Sequence, residues 1–348
     1  MKKFLVLAIV AVVLALTSST VYAAPPPDGP PGLEKALAAQ EAHNPQLLAT
    51  QGVVGTAVGL DESNVPSIMV FTDRAGVGTL PTSLDGVPVL VRATGKFSAL
   101  VPPPGKGPPE GKGPKEPKEP KRTDRWPLPV PIGVSTGNAN ECSAGTIGAR
   151  VVDSAGNVFV LSNNHVLALE NAGSSGDDIL QPGLYDTKCR LRRNNNIGSL
   201  SDWEQLKFDG TVNYIDAAIA ASTTSLLDNG TPSDGYGIPS STIESNPLGM
   251  TVQKYGRTTG LTTGLVYAVN FAGPVGYESG DANFANQIVI LSTTPPFSRP
   301  GDSGSLIVTV DGLNPTGLLF AGDNTGTWTI ANPISPVLGR FNVSIDGS

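Results

Sequence analysis

The chain has 348 residues, 39% of them hydrophobic, with 30 acidic and 23 basic side chains and a net charge of −7 at pH 7. An acidic chain repels the phosphate backbone, so we expect no nucleic-acid partner. The 41 glycines, the 31 prolines and a charged fraction of only 15% favour turns and short strands over helices. At about 100–200 residues per domain, this length predicts two or more folded units.

The N-terminus has the layout of a secretory signal peptide. Two lysines at positions 2 and 3 precede an unbroken apolar run over residues 4–16, and small residues lead up to Ala23. The run is shorter than the roughly 20 residues of a membrane-spanning helix, and no later run is long enough to span. We therefore expect residues 1–23 to be removed and the protein to be secreted, extracellular or periplasmic, with no membrane span in the mature chain. An uncleaved anchor is the alternative.

Residues 24–101 predict a small α+β domain, a candidate propeptide. Leu33, Ala36 and Leu37 share one face at helical spacing, and Pro45 is expected to stop this helix soon after His43. Runs rich in Val, Ile and Thr predict three strands, at residues 53–60, 67–72 and 87–93. The segment shows no residues that suggest chemistry, and His43 at a polar helix end is interpreted as a surface residue.

Residues 102–127 are built almost entirely from Pro, Gly, Lys and Glu. Such a composition has nothing to bury, because prolines keep the chain extended and lysines keep it solvated. The segment is interpreted as a semi-rigid spacer, with a cleavable activation segment as the alternative.

Residues 128–348 alternate short apolar runs with turns, which is typical of a β-barrel or sandwich. The only predicted helix lies near the C-terminus, at residues 333–341. The predicted strands lie at residues 146–152, 158–161, 217–220, 263–269, 287–291, 305–310 and 317–321.

The chain contains two cysteines, Cys142 and Cys189. An even pair in a secreted protein is most simply one disulfide, and we predict that they are joined. Two cysteines without a nearby pair of histidines do not suggest a metal site, and we expect neither a metal nor another cofactor.

Three segments carry residues typical of nucleophilic catalysis. His165 follows an apolar strand, Asp216 opens another, and Ser303 stands in the run Gly-Asp-Ser-Gly. A serine hydroxyl is a weak nucleophile until a base takes its proton, and imidazole titrates in the right range. A carboxylate on the far ring nitrogen fixes the tautomer and stabilises the imidazolium.

Each of these residues has an ordinary structural interpretation when taken alone. Asp216 could be a strand-end acid, His165 a half-buried histidine, and the serine segment a plain turn. The chain has only two histidines, however, so His165 is the base if a serine–histidine pair operates at all, since His43 lies in the N-terminal segment.

The order His165, Asp216, Ser303 resembles that of chymotrypsin-like serine proteases and differs from the orders in subtilisins and α/β-hydrolases. Residues 254–264 and 317–322 are similar to segments of secreted bacterial members, and the resemblance covers about residues 128–348. It implies a mainly β fold of two six-stranded barrels with the site between them. It also implies a serine endopeptidase with a polypeptide substrate, Ser303 as nucleophile, His165 as base and Asp216 orienting it.

The resemblance further implies how the nucleophile turn is held. The backbone N–H groups of Gly301 and Ser303 would form an oxyanion hole. Asp302 would be buried, and a buried carboxylate needs a partner. Animal relatives supply a freed N-terminal amine, whereas this chain offers Arg257, so we predict an Arg257–Asp302 ion pair. The alternative is that Arg257 is a surface turn residue.

The resemblance implies a substrate pocket lined by Phe297, Phe320, Ala321 and Gly322. No acid stands at Phe297, so a strict preference for Lys or Arg is not expected, although Asp323 just beyond could change this. Two positions depart from the common pattern: Val166 replaces a cysteine after the histidine, and Ser305 replaces a glycine after the nucleophile.

Two other functions remain open at this point: a non-catalytic binding or scaffold protein on a protease fold, and an esterase using the same triad. The sequence leaves open the natural substrate and cleavage preference, the role of residues 24–101, activation by cleavage of the linker, and the oligomeric state.

Overall fold

A computed structural model describes residues 29–100, 119–192 and 194–348. The predicted signal peptide and most of the predicted linker lie outside these residues. The mainly β prediction is confirmed, because nineteen strands form two curled sheets in the described part of the chain.

The N-terminal segment contains one helix and five strands. The helix α1 (Leu33–Leu48) is followed by β1 (Val53–Leu60), β2 (Pro66–Thr72), β3 (Ser83–Leu84), β4 (Val87–Ala93) and β5 (Ser98–Ala99). The three predicted strands are thus confirmed. The expectation that Pro45 ends the helix is wrong, because α1 continues for another turn in which buried Leu47 packs into the local apolar cluster.

The first curled sheet has eight strands in the order β19-β8-β9-β12-β11-β10-β6-β7. Its core is an apolar cluster that includes Ile147, Val160 and Leu200. The strands are β6 (Ser135–Asn138), β7 (Gly145–Thr146), β8 (Ala149–Asp153), β9 (Val158–Ser162), β10 (Asp178–Leu180), β11 (Asn196–Trp203), β12 (Ala218–Ser222) and β19 (Val343–Ile345).

The second sheet contains six strands that close into a barrel. β13 pairs with both β14 and β16, so the ring runs β13-β16-β17-β18-β15-β14 and returns to β13. These strands are β13 (Thr251–Gly256), β14 (Gly260–Tyr277), β15 (Gly280–Ser292), β16 (Leu306–Thr309), β17 (Pro315–Gly322) and β18 (Trp328–Pro333).

The two sheets meet along an apolar seam. Leu161 and Ile219 of the first sheet pack in one cluster with Leu306 and Leu318 of the second. The helix α3 (Ile334–Phe341) matches the predicted C-terminal helix, and its buried face packs in the same cluster. The loops at the edge of this seam carry the candidate site.

The N-terminal strands extend the second sheet. β1 pairs antiparallel with the long strand β14, with Val58 opposite Val269, and β5 pairs with both β14 and β17. Strands β1 and β5 therefore belong to the same sheet as β14 and β17, and the predicted domain boundaries stay a prediction. In the part of the chain that the structure describes, no helix is long and apolar enough to cross a membrane.

Candidate active site

His165 and Asp216 form a buried hydrogen-bonded pair. His165 lies in the short helix α2 (Asn164–Leu167), directly after β9, and Asp216 lies just before β12, which pairs with β9. The imidazole Nδ1 is 2.5 Å from Asp216 Oδ2, and both side chains are fully buried. Because a carboxylate oxygen accepts hydrogen bonds, Nδ1 is the donor in this contact, and in the neutral imidazole Nε2 then carries the lone pair.

The backbone of Asp216 is fixed by two asparagines from opposite sides of the seam. Its carbonyl oxygen accepts from Asn163 Nδ2 at 2.7 Å and from Asn332 Nδ2 at 3.1 Å, and its N–H donates to Asn332 Oδ1 at 2.9 Å. Asn332 lies on β18 of the second barrel. The position of the carboxylate is therefore tied to both sheets.

Tyr277 is a site residue that sequence reasoning missed. Its hydroxyl donates to Asp216 Oδ2 at 2.9 Å, and its ring packs edge-on against His165 with centroids 5.8 Å apart. Burial, reinforced by the Asp216 charge, raises the pKa of Tyr277 well above its ordinary value, so the hydroxyl stays a donor. No local pattern marks this residue, because it ends a long strand far along the chain from Asp216.

Ser303 lies in the tight turn before β16. Gly301 and Gly304 on either side adopt φ values of +98° and +91°, in the left-handed region that favours glycine. A Cβ at Gly304 would collide with the Ser162 hydroxyl and the Thr146 carbonyl. The Ser303 carbonyl accepts from Thr146 N at 2.8 Å, which ties the turn to the first sheet.

The Ser303 hydroxyl donates to the Phe320 carbonyl at 3.2 Å. Among the described residues, His165 Nε2 has no hydrogen-bond partner although it is buried. The structure therefore brings His165 and Asp216 into contact, whereas the Ser303 hydroxyl lies in a rotamer that bonds the strand β17 instead.

The predicted Arg257–Asp302 ion pair is wrong. Asp302 is fully buried, and its Oδ1 accepts from the N–H groups of Thr258 and Thr259 at 2.9 and 3.1 Å. Its Oδ2 accepts from Arg299 N at 2.9 Å and lies 4.0 Å from Lys254 Nζ. Backbone donors and a buried ammonium thus satisfy this carboxylate, which leaves no role for the guanidinium.

Arg257 binds Asp186 of the first sheet's long loop instead. Its Nε and Nη2 donate to the two carboxylate oxygens at 2.8 and 2.5 Å, in a bidentate pair. The Asp186 side chain is fully buried, and the Arg257 guanidinium stacks on the Tyr185 ring at 5.3 Å. The alternative of a surface turn residue is also excluded, since Arg257 is only 6% exposed.

Lys254 is a second buried residue that sequence reasoning missed. Its Nζ donates to Thr259 Oγ1 at 2.5 Å and to the Gly260 carbonyl at 2.8 Å. Burial lowers the pKa of Lys254 to about 8, while the Asp302 charge raises it. Period-two alternation in β13 places Lys254 on the same inward face as Val252, and this signal could have found it.

The predicted pocket residues divide into two groups. Phe297, Ala321 and Gly322 lie beside β5, which pairs with Ala321 and Gly322, and Leu100 joins Phe297 in one apolar cluster. The Phe320 side chain packs against Phe284, with centroids 4.7 Å apart, in a second apolar cluster that also contains Ala321. Only the Phe320 carbonyl therefore faces Ser303.

The predicted disulfide between Cys142 and Cys189 is confirmed, with the Cα atoms 5.1 Å apart. It closes a loop that contains His165, and its second cysteine lies three residues after Asp186. In the described ranges, no group of three His, Cys, Asp or Glu side chains is placed to hold a metal ion.

Solved structures similar to this chain include three proteases. A glutamic-acid-specific serine protease is 19% identical, with a TM-score of 0.44, and covers 62% of this chain and 100% of its own. Protease A of Thermobifida fusca (17%, TM-score 0.43) and the chymotrypsin of Cellulomonas bogoriensis (18%, TM-score 0.42) each cover 63% of this chain and 100% and 99% of their own. No protein-family model and no curated protein matches this sequence.

Proposed function

From a chymotrypsin-like double β-barrel with a buried His–Asp pair beside a Gly-Asp-Ser-Gly turn, we propose a secreted serine endopeptidase. Ser303 is the nucleophile and His165 is the general base. Asp216 orients the imidazole of His165 and stabilises its protonated form. The observation that carries this proposal is the 2.5 Å contact between His165 Nδ1 and Asp216 Oδ2, with Nε2 left without a partner in the described chain. Buried polar groups without a partner are rare in native structures, and a catalytic role is one explanation for such a group.

The proposed reaction runs through an acyl-enzyme. His165 Nε2 takes the Ser303 proton as the oxygen attacks the peptide carbonyl, and then gives that proton to the leaving amine. Water hydrolyses the ester by the same route in reverse. Asp216 stabilises the imidazolium between these transfers, and the hydroxyl of Tyr277 holds the carboxylate in place.

The serine has to change rotamer for this transfer. Its hydroxyl now donates to the Phe320 carbonyl, and rotation about the Cα–Cβ bond between staggered positions redirects it. Hydrogen bonds of this kind are often formed only in the substrate complex. The N–H of Gly301 donates to the Leu100 carbonyl oxygen at 2.7 Å. This contact supports the assignment of the Gly301 and Ser303 N–H groups to the oxyanion hole.

The decisive experiment is labelling with a serine-directed fluorophosphonate, followed by location of the modified residue and assay of peptide hydrolysis. Ser303→Ala and His165→Ala should each lower kcat/KM by at least about 10⁴-fold, because nucleophile and base act as one unit. Ser225→Ala, at an exposed serine, and His43→Ala, at the other histidine, are the matched controls and should retain activity.

The outcomes separate the competing functions. Absence of labelling in a correctly folded chain whose Ser303 is accessible to the probe would favour the non-catalytic scaffold. Hydrolysis of esters without peptides would favour the esterase. Near-normal activity in His165→Ala would overturn the triad assignment.

A further inference from the structure

The strand β5 lies in the groove beside the candidate site. On one side it pairs antiparallel with β17, with Ala99 opposite Ala321 and Ser98 opposite Gly322. On the other side it runs parallel to the end of β14, where Gly276 N donates to the Phe97 carbonyl at 3.0 Å. A two-residue strand held on both edges is pinned in register.

Leu100, the next residue, is bound through its backbone at the nucleophile turn. Its N–H donates to the Phe320 carbonyl at 3.2 Å, the same oxygen that accepts the Ser303 hydroxyl. Its own carbonyl accepts from Gly301 N at 2.7 Å. The Leu100 carbonyl therefore already lies on one of the two proposed oxyanion donors, and its amide shares an acceptor with the proposed nucleophile.

The Leu100 side chain fills an apolar pocket. It is 5% exposed and belongs to the cluster of Phe297, Ile290 and Leu319. A Cβ at Gly322 would lie 3.4 Å from its Cδ1, so the pocket wall is already in contact with it. The pocket therefore accommodates a branched aliphatic side chain.

We infer, on the basis of the proposed function, that the peptide bond between Leu100 and Val101 is the chain's own first substrate. Ser303 Oγ attacks the Leu100 carbonyl carbon and loses its proton to His165. The C–N bond then breaks, and the proton passes to the new amine of Val101. Water hydrolyses the ester, which leaves a carboxylate on Leu100 and restores the Ser303 hydroxyl.

The cut leaves the N-terminal fragment in place as a product inhibitor. β5 keeps its hydrogen bonds on both sides, and β1 remains paired with β14. Foreign substrates then need the fragment to leave, and the enzyme prefers leucine-like side chains before the cleaved bond. Inhibition and specificity both follow from the one segment that occupies the groove.

The test begins with intact-mass measurement of the full chain as wild type and as Ser303→Ala. The wild type should accumulate one fragment that ends at Leu100 and another that begins at Val101. The first-order rate constant of this cut should not depend on protein concentration. Ser303→Ala should stay whole at this bond. A cut at Leu100–Val101 in both proteins, or a wild-type rate that rises in proportion to concentration, would overturn self-cleavage within one chain.

A pair of proline variants tests the bond without touching the pocket. Val101→Pro adds a proline to a sequence that continues with three prolines and leaves Leu100 unchanged. A proline on the amine side of the bond should slow the cut by at least about 100-fold, since its tertiary amide and fixed ring fit poorly. Gly105→Pro makes the same change four residues on and should be cut like the wild type. Equal cutting of Val101→Pro would overturn the assigned bond.

A charged variant separates failure of this inference from failure of the proposed function. Leu100→Asp places a carboxylate in an apolar pocket and should release the segment, whereas Leu191→Asp makes the same change at an exposed leucine. The Leu100→Asp chain should stay uncut after residue 100. Its Ser303 should be labelled by fluorophosphonate at least about 10-fold faster than Ser303 of the freshly made Val101→Pro chain. If Leu100→Asp is labelled while the wild type never cuts itself, self-cleavage after Leu100 is refuted and the proposed serine endopeptidase is retained. If a folded Leu100→Asp chain is never labelled, the proposed function falls as well.

Discussion

Three buried carboxylates around the site are satisfied in three different ways. Asp216 accepts from an imidazole and a tyrosine hydroxyl, Asp302 accepts mainly from backbone N–H groups, and Asp186 accepts a bidentate guanidinium. Burying a charge is costly unless donors replace its water. Each carboxylate thus lies where its surroundings supply hydrogen-bond donors. Mutation of those donors is expected to have a different effect at each of the three carboxylates.

Tyr277→Phe should lower kcat by about 10-fold, or about 1.4 kcal/mol in the barrier, with little change in KM, because it removes one donor from Asp216 and keeps the ring. The downfield proton resonance of the His165–Asp216 hydrogen bond should shift in the variant, which a purely structural role would not cause. Tyr267→Phe, whose hydroxyl accepts from Arg92, is the control. An unchanged resonance with unchanged kcat would show that Tyr277 only fills space.

Lys254 should make the free energy of unfolding depend on pH in a defined window. Burial lowers the pKa of Lys254 from 10.5 to about 8. Between these values the unfolded chain binds a proton that the folded chain has lost, so stability from this group rises with pH. The stability of Lys254→Met relative to its parent should therefore be greater at pH 7 than at pH 10.

This comparison is made by chemical denaturation in a Ser303→Ala background, which excludes self-digestion by the proposed protease. Lys35→Met, at an exposed lysine of α1, should show no such change between the two pH values. A relative stability of Lys254→Met that increases toward pH 10 would contradict the lowered pKa.

At the scale of elements, the positions of the strands were more predictable than the pairing of those strands in the sheet. The runs at residues 53–60 and 87–93 coincide with β1 and β4, because Val-rich segments between turn residues carry a local signal. The pairing of β1 with β14 depends on residues far apart in sequence and had no such signal. The short strand β5 could not be predicted, since two residues show no periodicity.

The candidate site shows the same division between local and distant information. His165, Asp216 and Ser303 follow from their local motifs and chain order, as does the single disulfide from the count of cysteines. The partner of Arg257 does not, because the acid that binds it comes from a loop of the other sheet. The resemblance suggested Asp302 as that partner, but Asp302 accepts from the backbone N–H groups of Thr258, Thr259 and Arg299 instead.

The Arg257–Asp186 pair links the β13–β14 turn with the disulfide-bonded loop of the first sheet. Arg257→Ala and Asp186→Ala should each cost about 3–5 kcal/mol, because each leaves a buried charge unpaired. The double variant should cost less than the sum of the two, by a coupling of about 0.5–3 kcal/mol. Urea denaturation in the Ser303→Ala background measures all four chains. Simple additivity would contradict a direct pair.

At the scale of the whole molecule, the site depends on the seam between the two sheets. The His–Asp pair comes from the first sheet, the Ser303 turn from the second, and Thr146 and Asn332 form hydrogen bonds across the seam. The N-terminal segment adds strands to the second sheet and reaches the groove with β5. The molecule therefore joins three stretches of sequence at one place.

Limited trypsin digestion of the Ser303→Ala chain should cut first among the lysines of the linker, because Pro, Gly and Lys offer nothing to bury. The C-terminal fragment should begin no later than residue 122, since Trp126 is buried and its Nε1 donates to the Lys121 carbonyl. Both fragments should then elute together in gel filtration. Early cuts inside residues 33–100, with the linker intact, would contradict this prediction.

The pairing of β1 with β14 also changes the kinetic order of folding. In the uncut chain, Val58 and Val269 must find each other across about 200 residues, which makes assembly slow but unimolecular. Once the bond after Leu100 is cut, the same sheet can be rebuilt only if two molecules collide. Dilution would then favour the separated fragments, so a protein that folds once as a single chain would become, after cleavage, a complex whose lifetime is set by how rapidly one fragment escapes.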